Sequence, residues 1–196
     1  MGSRRRSQRE PDETGRDLGP PADPESVART IVLTKLAAQA RSRSELAEAL
    51  SAKAVPAEVS TAVLDRFEEV GLVDDTAFAE AWIQSRQTSR GLSRRALRQE
   101  LRRKGVDDDV IAESLDALDP DDELAAARRL VERKLRVTRH LDASVRIRRL
   151  SGVLARKGYP AGLAFRVVRE AIAGEDGDGG SDGAESTCEL NEVGLD

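Results

Sequence analysis

Apolar residues recur along this chain at three- and four-residue spacing, and no stretch sustains a two-residue alternation of Val, Ile, Thr and aromatics. Leu46 and Leu50, Leu97 and Leu101, and Leu150 and Leu154 each stand one helical turn apart. Around these pairs, three segments align without a gap: "SRSELAEALSAKAVPAEVSTAVL" from Ser42, "SRRALRQELRRKGVDDDVIAESL" from Ser93 and "RIRRLSGVLARKGYPAGLAFRVV" from Arg146. Shared columns hold Lys53, Lys104 and Lys157, then Ala54, Gly105 and Gly158, then Val55, Val106 and Tyr159. The offsets are 51 and 53 residues. Upstream, "VARTIV" (27–32), "FAEAWI" (78–83) and "AARRLV" (126–131) repeat in register, with about five residues inserted in the third copy.

Each copy reads as three short helices. In the second, Asp74 caps a helix whose apolar face is Phe78, Ala79, Trp82 and Ile83, with Val73 stapled onto Phe78. Ser93 caps the next, which buries Leu97 and Leu101, and Gly105 ends it in the left-handed conformation. Asp107 caps the third, with Val110, Ile111, Ser114, Leu115 and Leu118 on one face. In the first copy Ser42 and Glu45 make a capping box, and Pro56 suits the first turn of the helix that follows. A unit of this size buries little surface alone, so three in tandem predict an elongated array with cores shared between neighbours. The predicted units are 24–72, 73–118 and 119–173. Polar residues 1–23 and the acidic stretch 174–196, with its "GEDGDGGSDG", are predicted to be disordered.

Composition agrees with an all-α protein: Ala, Leu, Arg and Glu dominate, while aromatics make up only 3%. No apolar run approaches the length of a membrane span, and the N-terminal stretch lacks the apolar region of a secretory signal. One cysteine, Cys188, permits no internal disulfide and fits a reducing, cytoplasmic setting. The net charge of −4 conceals a division, because residues 174–196 carry eight acids and no base, leaving +4 on the rest. Within that rest the sign alternates. Arg86 to Lys104 holds eight bases and one acid, Asp107 to Glu123 nine acids and no base, and Arg128 to Lys157 eleven bases and two acids.

Candidate chemistry is sparse. His140 is the only histidine and has no cysteine near it in sequence, too few ligands for a zinc site. Cys188 falls in the acidic stretch, and no glycine-rich phosphate loop opens a helix. Asp107, Asp108 and Asp109 suit the positive end of a helix dipole better than a metal. Neither an enzyme nor a cofactor is expected.

The basic residues are the more informative feature. Arg102, Arg103 and Lys104 close a helix where its dipole favours cations, but Arg94 and Arg95 open the same helix where it does not. With Leu97 at zero, Arg94 lies near ~60°, Arg98 near ~100°, Arg102 near ~140° and Arg95 near ~160° around the axis. That is one stripe of like charges at i, i+4, and a sequence that accepts such repulsion is expected to use it against an anion. Arg86 and Arg90, from the same basic block, are further candidates, and Arg128, Arg129, Arg133 and Lys134 form a second candidate set.

The run "GLVDDTAFAEAWIQSRQTSRGLSRRALRQELRRKGVDDDVIAESL" (71–115) resembles the central segment of RecX, the bacterial regulator of the RecA recombinase. Its Gly-Leu-hydrophobic-Asp-Asp entry, Phe-Ala pair, "SR" before a small-residue turn and Leu-Arg helix ending in Lys-Gly carry the likeness. "RSRSELAEAL" (41–50) is similar to the family's first motif and "RRLSGVLARKGYP" (148–160) to its third, so the resemblance spans about 27–172. Ala54 departs from it, standing where glycine is commoner, and so do the charged stretches at either end. The resemblance implies a curved rod of three three-helix repeats, without catalytic residues. It also implies binding in the groove of the RecA–DNA filament, restraining ATP hydrolysis, strand exchange and co-protease activity in DNA recombination, repair and the SOS response.

The residues themselves leave two other readings open. One is a helical protein binding single- or double-stranded DNA without sequence preference, since the basic helix lacks the Asn, Gln or Ser set that reads base edges. The other is a repeat scaffold for a different protein partner. In each case a monomer that avoids membranes is expected.

Overall fold

A computed structural model describes residues 23–178 of the chain. They form nine α-helices and one short 3-10 turn, with no strand among the described residues. The helices fall into three units: α1 (Pro24–Ala38), α2 (Arg43–Ser51) and α3 (Ala57–Glu69); α4 (Asp75–Arg90), α5 (Arg94–Arg103) and α6 (Asp108–Asp116); α7 (Pro120–Leu135), α8 (Ala143–Arg156) and α9 (Ala161–Asp178). Every extensively packed pair of helices lies within one unit.

The caps follow from side-chain chemistry. Ser42 and Glu45 form the capping box of α2. Asp74, Ser93 and Asp107 accept hydrogen bonds from Ala77, Ala96 and Asp109 N–H at the starts of α4, α5 and α6. Pro56 stands one place earlier than expected, as the N-cap of α3. Gly105 and Gly158 end α5 and α8 with φ of +73° and +88°. Ala54 takes the same left-handed turn at φ 56° despite its Cβ, because the chain must reverse there to bring α3 against α2.

Each unit has its own core, which corrects the expectation of shared ones. Leu46, Leu50, Val63, Leu64 and Phe67 fill the first with Ala28 and Val32. Phe78, Ile83, Leu97, Leu101, Ile111 and Leu115 fill the second. Leu130, Val131, Leu150, Leu154, Tyr159, Val167 and Val168 fill the third. Val73 packs in the first core rather than with Phe78 in the second, so it closes unit one instead of stapling α4.

Two further expectations change in unit three. The inserted residues appear as a 3-10 turn, η1 (Arg136–Thr138), and α8 starts at Ala143, a turn before the aligned position. Helix α9 also runs past residue 173 to Asp178. Its extension is anchored at Glu175, which pairs with Arg139 at 2.7 Å and with the buried Arg146. Burial pushes the Glu175 carboxyl up, but the two guanidiniums hold it below its ordinary value. The expectations for residues 1–22 and 179–196 lie outside the described residues; Asp23 caps α1 through Ser26 N–H.

What joins the units is a pair of polar seams with the same plan. At the first, the Ser42 hydroxyl donates to the Lys104 carbonyl, setting the start of α2 on the end of α5. At the second, Ser93 N–H donates to the Lys157 carbonyl at 3.0 Å, setting the start of α5 on the end of α8. The middle helices thus stand head to tail, positive end against negative. The next backbone N–H also repeats its partner: Arg43 donates to Asp75 at 2.8 Å and Arg94 to Glu123 at 3.0 Å, both acids in the first turn of the following unit's first helix. Gly105 and Gly158 lie in these seams with no room for a Cβ, which would come within 2.2 Å of Ser44 Oγ and 2.6 Å of Ser93 Oγ.

Candidate functional site

The ten candidate cations divide sharply once the helices are packed. Arg86 lies 4.0 Å over the Trp82 ring and 3.3 Å from Glu100, while Trp82 Nε1–H donates to the same carboxylate at 3.0 Å. Arg90 is also in reach of Glu100, at 3.8 Å. Lys104 covers Trp82 at 4.8 Å and pairs with Glu45 of unit one at 2.5 Å. Burial raises the Glu45 carboxyl pKa, but Lys104, the Ser42 N–H and Arg41 bring it below its ordinary value. This cluster ties α4 to α5 and unit two to unit one.

Arg94, placed in the solvent-facing stripe by its helical angle, is half buried. Its guanidinium donates to the Leu118 carbonyl, so the side chain turns back along its own unit. The reason is positional: Arg94 stands at the second seam, where α5 meets the α6–α7 connection. Arg102 is exposed but engaged, gripping Asp108 through Nε and Nη2 at 2.6 and 3.1 Å, which holds the Asp108 carboxyl below its ordinary range. Arg128 pairs with Glu170 at 3.3 Å across α7 and α9.

Five candidates are exposed and in no ion pair among the described residues: Arg95 and Arg98 on α5, and Arg129, Arg133 and Lys134 on α7. Arg95 gains a companion that the candidate set lacked. It faces Arg156 of α8 across a cleft of about 390 Å³ at the second seam, lined also by Ala96, Gln99, Gly158 and Tyr159. Arg98 stands one turn along α5 from Arg95. The missing signal was available, because Arg156 precedes the aligned lysine as Arg103 does in the second copy, but only the head-to-tail seam places it opposite Arg95.

The cleft is built on a rigid base. Tyr159 is buried, and its hydroxyl donates to the Gly91 carbonyl at 3.2 Å. Burial, with Glu123 nearby, pushes the phenol up to about 12. The described residues contain no group of three or more His, Cys, Asp or Glu placed to hold a metal. None of their helices is long and apolar enough to cross a membrane.

Fold and site together define the class: an all-α tandem-repeat protein with a strongly charged surface. Family models narrow this further. The first, second and third three-helix domains of RecX match residues 28–67, 74–115 and 121–168, and the chain belongs to the RecX family. The regulatory protein RecX of Thermobifida fusca is 53% identical over 167 residues, covering 82% of this chain and 90% of that protein. The Streptomyces coelicolor protein of the same name is 53% identical over 156 residues, covering 80% and 83%. The crystal structure of RecX from Lactobacillus salivarius has the same fold, with a TM-score of 0.71 at 18% identity over 78% of this chain and 99% of that one.

Proposed function

We propose that this chain modulates the RecA recombinase, mainly as an inhibitor, by lying in the groove of the RecA–DNA filament with basic faces of units two and three toward it. Membership of a family of regulatory proteins supports the partner. The observation that carries the mode of binding is the second seam, where Arg95 and Arg156 face one cleft with Arg98 beside it. A seam between rigid units holds these cations at fixed spacing, as repeated phosphates or carboxylates on a filament require. The protein acts by occupancy, with no chemistry of its own, and as a monomer.

The test is DNA-dependent ATP hydrolysis by RecA on single-stranded DNA, titrated with this protein. Hydrolysis is expected to slow, and the Arg95→Ala/Arg98→Ala protein to need a higher concentration for the same effect. Unchanged hydrolysis at saturating binding sinks the inhibitory mechanism. Binding to bare DNA alone, equal with and without RecA, points instead to a general DNA-binding protein, whose affinity falls steeply with salt.

A further inference from the structure

Unit three carries a second basic surface, distinct from the seam cleft but sharing Arg156 with it. A groove of about 370 Å³ opens between α7 with η1 and the outer face of α8. Val137, Leu150 and Val153 give it an apolar lining, and Val137 is 68% exposed. Lys134, Arg148, Arg149 and Arg156 surround that lining, with no carboxylate among the lining residues. None of these four cations forms an ion pair among the described residues.

Gly152, inside α8, also lines the groove. A glycine there weakens the helix, and packing does not demand it: a Cβ would meet only the Arg156 guanidinium, at 3.6 Å. The aligned positions in the other two units are Glu48 and Gln99, both long and polar. The side-chain space left open in unit three is therefore local to this groove.

The chain itself supplies a matching occupant. Glu175 near the end of α9 is held by Arg139 and Arg146 and lines a separate concavity with Arg133 and Arg136, so the chain leaves the described fold on unit three, the unit that carries the groove. Residues 179–196 contain five acids and no base, and the last nine, "CELNEVGLD", interleave Leu190, Val193 and Leu195 with Glu189, Glu192 and Asp196. The ten residue steps from Asp178 to Cys188 reach up to about 33 Å when extended. Fourteen-residue α8 is only about 21 Å long. Apolar side chains for the lining, and carboxylates spaced between them for the rim, are what such a groove accepts.

We propose that residues 188–196 dock in this groove within the same molecule, Leu190 and Val193 against the lining and Glu189, Glu192 and Asp196 against the four cations. A docked segment also engages Arg156 and so competes with a polyanion at the seam. That regulatory consequence rests on the function proposed above; the docking does not.

Cys188 is the only cysteine in the sequence and gives a handle for the test. A nitroxide is attached there in the full chain, and backbone amide resonances are recorded. Val137, Thr138, Gly152 and Val153 are expected to lose most of their intensity. Gly152→Leu, which fills the groove, Arg148→Glu/Arg149→Glu, which reverses its rim, and Leu190→Ser/Val193→Ser are each expected to restore it. Uniform broadening, broadening centred on another face, or broadening indifferent to all three variants overturns the proposal. So does broadening passed from a nitroxide-bearing copy to an isotope-labelled copy without one, which would mean docking between molecules. No readout involves RecA, so this proposal and the proposed function fail separately.

Discussion

Arg94 shows how one residue's role depends on what stands beyond its own helix. Helical angle puts it beside Arg98, yet its guanidinium and its backbone N–H are both spent on groups of units two and three. Arg94→Ala is therefore expected to destabilise the fold by about 1–3 kcal/mol, the range for a charged hydrogen bond to a partly buried carbonyl. Arg95→Ala and Arg98→Ala are each expected to stay within about 0.5 kcal/mol in urea denaturation, as exposed positions do. Equal losses at all three would mean the α5 arginines serve packing. Ala54 gives a prediction of opposite sign, since its left-handed turn at φ 56° is strained for a residue with a Cβ. Ala54→Gly is expected to raise stability by about 1 kcal/mol, read from the same denaturation curves. Tyr159 contributes to the fall in stability at alkaline pH. The folded chain keeps its phenolic proton to about 12, whereas the unfolded chain releases it near pH 10. The stability this group contributes is whole below the unfolded value and is lost as pH rises through the folded one. Between about pH 10 and 12, Tyr159→Phe is expected to show a shallower fall in stability than the native chain; parallel curves would contradict this.

At the scale of elements, α5 links all three units: its start sits on α8 and its end supports α2. Gly158 packs against its first turn, and an added Cβ there would lie 2.9 Å from Ala96 Cβ and 3.2 Å from its backbone N. Gly158→Ala, at φ +88°, is expected to cost about 1–3 kcal/mol and to weaken the proposed binding to the RecA filament by displacing Arg156 from Arg95. A loss of stability without loss of binding would separate the seam from the site. Much of this was legible in the sequence. The leucine pairs, Ser42, Ser93, Asp107 and Gly105 are local signals, and local physics fixed the helices they belong to. The seams were not legible, because Ser93 announces a cap but not the Lys157 carbonyl it also reaches. For the same reason Arg86 and Arg90 read as free cations, although the fold brings Glu100 between them. The longer α9 is not legible in the sequence, because Glu175 looks like the start of an acidic tail until Arg139 and Arg146 are placed beside it.

For the whole molecule, separate cores joined by polar seams mean that each unit contributes its own stability and the seams set their relative order. Leu97→Ala in unit two is expected to cost about 2–5 kcal/mol, and hydrogen exchange should show the loss concentrated in α4, α5 and α6 with α9 little affected. The same arrangement makes the basic face a property of two units rather than of one helix. Arg95 belongs to unit two and Arg156 to unit three, and neither unit alone presents the pair. The central claim is that this paired face restrains the recombinase. It is tested most directly by titrating the native and Arg95→Ala/Arg98→Ala/Arg156→Ala proteins against RecA ATP hydrolysis on single-stranded DNA. The account predicts strong slowing by the native protein and slowing by the triple variant only at much higher concentration, with the helical content of both the same. Slowing by the two proteins at equal concentration would contradict it.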